Sequence, residues 1–132
     1  MPVEMLFGSG KNNNYLSMWS KMGAEEGSGY IKFPNGTLIA WVSQDFTGNV
    51  NTSWGSSYYS PQITLPNWPA DFHATPDNVQ VSVNGTGGGD VWLGKVSGTS
   101  KTTAGKVYAY GPVAQSNISF TVKAVAFGRW KA

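Results

Sequence analysis

The sequence predicts an all-β fold, an antiparallel β-sandwich of jelly-roll-like type, and three observations lead there. Short runs alternate apolar and polar residues with period two, as in Val79-Gln80-Val81-Ser82-Val83, where the valines line one face of a half-buried strand. Seventeen Gly and seven Pro, joined by many Asn and Ser, are spread so evenly that long helices are ruled out. Turn-forming residues separate the alternating runs, as expected of a sandwich or barrel built from short antiparallel strands.

In chain order the strands are expected at residues 30–33, 37–45, 57–65, 79–83, 90–97, 106–111 and 119–129. The first two flank Phe33-Pro34-Asn35-Gly36. Proline presets φ for the first central turn position, Asn tolerates the second, and Gly takes the left-handed place that closes a three-residue hairpin loop. The second strand places Leu38, Ile39, Ala40 and Trp41 in succession, so apolar groups fall on both of its faces. NGTGGGD at 84–90 and SGTSKTTAG at 97–105 are expected as two further hairpin connections. Residues 1–28 differ in character. Leu16, Met18, Trp19 and Met22 precede Ala24, Glu25 and Glu26, a pattern open to one weak helical turn or an irregular strand. This segment is read as a lead-in or neck that packs on the strand body or on a neighbouring chain, and 29–132 as the domain proper.

Composition bounds the function. A chain of 132 residues fits one domain able to hold its own core. Hydrophobic residues make up 40% and aromatic ones 14%, but charged ones only 12%, about half the usual share, so Ser, Thr, Asn, Gln and Gly must form the surface. Nine Lys or Arg against seven Asp or Glu give a net charge of +2, too small and too scattered for a nucleic-acid partner. Without cysteine there is no disulfide and no thiolate metal site. MPVEMLFGSG lacks the basic start and apolar run of a signal peptide, and no stretch approaches the ~20 apolar residues of a membrane span. Membrane insertion is not expected, and a route to the cell exterior would be lysis of the producing cell or attachment to a larger chain.

Catalytic patterns are weak. His73 is the single histidine, with Asp71 and Asp77 nearby, and no second histidine or cysteine completes a transition-metal set. Glu25 and Glu26 are adjacent, so on a strand they point apart instead of facing each other across a cleft as glycoside hydrolysis requires. No Gly-x-Ser-x-Gly, Walker loop or His-Glu-x-x-His occurs. The glycine run at 85–89 lies between strands, with no helix to receive a phosphate. The Asn-x-Ser/Thr triplets at Asn35, Asn51, Asn84 and Asn117 suit turns as well as glycosylation. The chain is expected to be neither an enzyme nor a cofactor binder.

Aromatic residues carry the functional signal. Trp54, Tyr58, Tyr59, Trp68, Trp92, Tyr108 and Tyr110 fall in or beside the predicted loops, among Asn, Asp and Ser. Sugar rings present apolar C–H faces and hydroxyl edges, so a glycan site needs flat aromatic platforms and short polar side chains that fix orientation. Packing in the core or between chains is the plainer explanation for each of these rings. The candidate ligand-binding set is Trp54, Tyr58, Tyr59, Trp68, Asp90, Trp92, Lys101 and Tyr108. Lys101, like Lys106, flanks a loop where it could meet an anionic glycan.

The order of three stretches resembles the C-terminal receptor-binding domain of bacteriophage and prophage tail-fibre proteins: GYIKFPNGTLIAW at 29–41, ITLPNWPADFHATPDNVQVSV at 63–83 and ISFTVKAVAFGRWKA at 118–132. The likeness covers about residues 29 to 132, with Val42 standing where the family pattern has Gly. It implies a β-sandwich tip, usually a homotrimer, at the distal end of a fibre on the virion. Its expected partners are a host cell-surface polysaccharide, the rest of the tail fibre and further copies of itself. Trp41, Phe127 and Trp130 fall in the core strands of the resemblance and are expected to pack, while a trimer interface would explain the apolar residues on the outer strand face. Three rival readings are a structural trimerisation or capping module, a small glycan-acting hydrolase or esterase, and a cellular carbohydrate-binding domain with no virus connection.

Overall fold

The computed structural model describes residues 23–85 and 89–132, and the described residues are all β with antiparallel pairing. The expectation for Leu16, Met18, Trp19 and Met22 lies outside them. Two long strands form the spine: β3 (Thr37–Val50) and β11 (Gln115–Arg129) pair along almost their whole length, from Thr37 opposite Arg129 to Val50 opposite Gln115. Around them a five-stranded sheet is built in the order β1-β2-β3-β11-β7, with β1 at Glu25–Gly27, β2 at Tyr30–Lys32 and β7 at Asn78–Asn84. A four-stranded sheet, β4-β5-β10-β8, uses Thr52–Trp54, Ser57–Tyr59, Ala109–Gly111 and Trp92–Leu93. A short pair, β6 (Ile63–Thr64) with β9 (Lys106–Val107), completes the set.

The core follows from period two. On β11 the inward positions Ile118, Phe120, Val122, Ala124 and Ala126 are buried, and on β3 so are Leu38, Ala40 and Val50. They form one cluster with Ile63, Leu65, Trp68, Phe72, Ala104, Val107 and Ala109 from the rest of the chain. Each large apolar side chain fully buried there contributes about 1.5–3 kcal/mol relative to exposure. The valines of β7 are half-buried between exposed polar neighbours, as their alternation predicts. The Pro-Asn-Gly hairpin also forms as predicted: Gly36 N–H donates to Phe33 O at 3.0 Å, Gly36 has φ +99°, and β2 pairs with β3.

Several boundaries differ from the sequence reading. The run 37–45 extends to Val50, and 119–129 begins at Gln115, because each strand supplies the other's hydrogen-bond partners through stretches of Gly, Asn and Ser that have little strand preference of their own. Thr52–Trp54, outside the expected strands, is strand β4. The expected single strand 57–65 breaks at Pro61, which lacks an N–H; buried Ser60 caps the break, its Oγ accepting from Ala109 N at 3.0 Å and donating to Pro61 O at 2.8 Å. Chain 106–111 likewise divides into β9 and β10, which pair in different sheets. The segment 84–90 is no hairpin connection, since β7 pairs with β11 and β8 pairs with β10 in another sheet. The 97–105 loop is closed at its base by reciprocal Ser97 and Lys106 bonds of 3.0 and 2.9 Å.

Trp41 and Phe127 do not pack in the core. They stay 42% and 39% exposed, because β3 and β11 turn the odd-numbered positions outward. Registers Ile31 with Ile39, Ile39 with Phe127, and Trp41 with Val125 place these five apolar residues together on the outer face of the large sheet. Trp130 does pack, half-buried against the core.

Candidate functional site

On the four-stranded sheet, registers Thr52 with Tyr59, Tyr59 with Tyr110 and Tyr110 with Trp92 set one row of side chains across all four strands. Trp54 and Tyr108 stand two residues along from Thr52 and Tyr110, hence on the same face. The result is a contiguous aromatic surface. Tyr110 is its hub: Trp54 lies 5.3 Å from it at 42°, Tyr59 6.4 Å at 51°, and Trp92 is stacked at 6.4 Å and 22°. Tyr59 and Tyr108 meet edge to face at 5.9 Å and 87°. Such pairs add about 0.5–1.5 kcal/mol each beyond area burial, which fixes the rings relative to one another.

Exposure divides the set. Trp54 and Trp92, on the two bordering strands, are 62% and 49% exposed, whereas Tyr59, Tyr108 and Tyr110 are half-buried between them. Trp54, Tyr59, Tyr108 and Tyr110 line a shallow cavity of about 350 Å³. Gly94 makes the arrangement possible, because a Cβ there would come within 2.6 Å of Tyr110 Cε2. Uncharged polar groups border the rings: Thr52 opposite Tyr59, Ser57 opposite Trp54, and Gln62, whose Oε1 accepts from the Tyr108 hydroxyl at 3.5 Å.

Of the residues the sequence singled out, Trp54, Tyr59, Trp92 and Tyr108 come together here, with Tyr110 at the centre. Tyr58 does not join them; as the neighbour of Tyr59 it points to the opposite face and packs on the core. Trp68 is also a core residue, 4% exposed, T-shaped against Phe72 at 5.8 Å and donating its indole N–H to Ser100 O at 3.2 Å. It is therefore closed to any ligand. Asp90 is exposed two residues before Trp92, and the Gln115 amide clamps its backbone at both N and O, each at 3.0 Å, anchoring the chain ahead of β8. Lys101 lies far along the antiparallel ladder that runs from Val107 opposite Ile63 to the Phe72 N–H bonded to Lys101 O.

The row was partly legible in the sequence, since Tyr108 and Tyr110 are in one phase and Tyr58 and Tyr59 in opposite phases. Nothing there marked Gly94, Thr52 or Gln62. Among the described residues no three of His, Cys, Asp and Glu converge, and His73 is exposed with its backbone N–H donating to Arg129 O at 2.7 Å. A wider groove of about 610 Å³ crosses the outer face of the large sheet, lined by residues that include Trp41, Ser43, Gln80, Ser82, Lys123 and Val125. It offers a single aromatic ring, so stacking chemistry belongs to the four-stranded sheet.

No family model matches the chain, and no curated protein does. Two solved structures are similar to it in fold. One is a C-terminal fragment of the P. aeruginosa R1 pyocin fibre, with a TM-score of 0.51 and 15% identity over 92% of this chain and 33% of that one. The other is an N-truncated R1-type pyocin tail fibre, with a TM-score of 0.52 and 16% identity over 89% of this chain and 98% of that one. The chain thus spans about a third of the first fragment's length.

Proposed function

We propose that this chain is the receptor-binding tip of a tail-fibre-like particle, with 1–28 as its neck and 29–132 as the tip, and that it adsorbs reversibly to a polysaccharide on the host cell surface. The observation that carries the reading is the row of rings on the four-stranded sheet, where exposed Trp54 and Trp92 stand beside half-buried tyrosines and uncharged hydrogen-bonding groups. Aromatic faces with short polar neighbours are what sugar rings require. The fold shared with pyocin tail fibres supports the setting, the distal end of a fibre on the virion, joined to the rest of that fibre.

The chain acts by binding and not by catalysis, with no cofactor, nucleic acid or membrane insertion involved. It works as a homotrimer, a reading supported by the outer apolar patch of Ile31, Ile39, Trp41, Val125 and Phe127. That patch lies on a different sheet from the aromatic row, so assembly and binding need not compete. Three weak sites on one rigid tip raise effective affinity by roughly 10²- to 10⁴-fold.

The test is adsorption of the fluorescently labelled chain to a panel of bacterial strains, with free surface polysaccharides as competitors. Strain-restricted binding that a polysaccharide abolishes supports the adhesin. A stable trimer that binds no strain points instead to a structural cap ending the fibre.

A further inference from the structure

The geometry points to a more specific ligand: we infer that the aromatic row takes an internal segment of a linear, uncharged polysaccharide laid across the four strands, and not a chain end or an acidic sugar. This rests on the reading of the row as a glycan site.

Length is the first argument. The two exposed indoles sit on β4 and β8, the border strands of the sheet, with Tyr59 and Tyr110 on the strands between. With Tyr110 5.3 Å from Trp54 and 6.4 Å from Trp92, the two indoles lie at most about 12 Å apart across strands spaced about 4.8 Å, enough for about three consecutive pyranose rings. Neighbouring ring centroids are 5.3 to 6.4 Å apart, comparable with the spacing of successive sugars in a chain. A single sugar would cover one ring and leave the second indole wet.

Openness is the second. Both ends of the row are strands at the edge of their sheet, and among the described residues no strand of that sheet walls off either end. A site for a chain terminus needs such a wall, because selectivity for an end comes from blocking further residues. Here a chain can enter over Trp54 and leave over Trp92.

Charge is the third. Trp54, Tyr59, Tyr108 and Tyr110 line the cavity, and Thr52, Ser57 and Gln62 border it, so the ligand meets aromatic faces, hydroxyls and an amide. Lys106, two residues before Tyr108, and Asp90, two before Trp92, are exposed, one charge of each sign, and like Trp92 they stand outside the cavity's lining. A uronate or phosphate lowered onto the central rings would lose hydration with no cation among the cavity's lining residues to offset it. Neutral sugars bring hydroxyls that the Tyr, Thr, Ser and Gln groups can satisfy.

The experiment uses the full chain and the surface polysaccharide of a strain that it binds, partially hydrolysed, separated by anion exchange into neutral and acidic fractions and then by size. Affinity is read by quenching of tryptophan fluorescence and by calorimetry, for the native chain and for Trp54→Ala and Trp92→Ala, whose folding is checked by circular dichroism. The expected result is binding of neutral fragments that strengthens from one to about three sugars and then levels, with each substitution weakening trisaccharide binding by about tenfold. Monosaccharides that bind as well as longer fragments, binding confined to the acidic fraction, or affinity indifferent to both substitutions in folded protein would each overturn the inference while leaving the adhesin reading standing. Absence of binding to any strain or polysaccharide would instead remove the adhesin reading itself.

Discussion

The indole N–H of Trp130 donates to the carbonyl oxygen of Phe33 at 2.8 Å, joining the last strand's end to the β2–β3 hairpin across 97 residues of chain. Trp130 N–H also donates to Gly36 O at 2.9 Å, and Arg129 Nη2 to Asn35 O at 2.6 Å. Lys32 Nζ lies over both Tyr30 and Trp130, at 5.7 and 5.6 Å from their ring centroids, while Lys131 Nζ covers Trp130 at 4.9 Å. The Pro-Asn-Gly turn and the Gly-Arg-Trp-Lys ending are therefore one substructure. Together they close the end of the β2-β3-β11 ladder.

Replacing Trp130 by Phe keeps most of the ring but removes the donor. Phe33 O retains its bond from Gly36 N–H, so no buried acceptor is orphaned. The expected cost is about 1 kcal/mol in urea unfolding, within the range of a single net hydrogen bond. No change in saccharide binding is expected, because Trp130 follows β11, a strand of the sheet that does not carry the aromatic row.

Trp68 and Trp54 should separate core from platform. Trp68→Ala opens a cavity among buried residues and is expected to lower stability by about 3–5 kcal/mol in chemical denaturation. Trp54→Ala removes an exposed ring and should shift stability by less than about 1 kcal/mol while weakening adsorption to cells.

Gly94→Ala tests how the hub of the row is held. The added methyl would lie 2.6 Å from Tyr110 Cε2, so Tyr110 must shift from its present contacts with Trp92 and Trp54. A changed near-ultraviolet dichroism spectrum and binding weakened several-fold are expected, with the far-ultraviolet spectrum preserved.

The outer face of the large sheet gives the assembly prediction. Trp41→Asp and Phe127→Asp place carboxylates in the apolar patch without touching the inward-facing core. Light scattering should find the native chain at three times its 14.1 kDa mass and the double variant at the monomer mass with its dichroism intact. A native chain that is monomeric at all concentrations would contradict the proposed trimer.

Tyr30 supplies a pH prediction. Its hydroxyl donates to Glu25 Oε1 at 3.2 Å, and that bond, followed by partial desolvation and the Glu25 charge, raises the phenol above its ordinary value of 10.0. The bond needs the protonated phenol. Its contribution is complete below the unfolded pKa and is lost as pH rises through the higher folded one. Titration of the ring by NMR should place Tyr30 above the ordinary value of 10.0, and Glu25→Gln should lower it.

By itself the sequence determined the strand character of the chain, the Pro-Asn-Gly turn and the phase of each alternating run, because period two and turn stereochemistry are local. That was enough to foresee the buried face of β11 and the half-buried valines of β7, and to put Tyr108 and Tyr110 side by side. Tertiary structure alone decided which strands become neighbours, and so gathered Trp54, Tyr59, Tyr110 and Trp92 from four strands into one row. It also decided which surfaces are covered: Trp68, in the irregular stretch after β6, is drawn into the core, while Trp41 and Phe127 stand on the uncovered outer face of β3 and β11. Burial depends on what covers a residue, and the covering layer comes from segments distant in the chain, set by packing that no short stretch encodes.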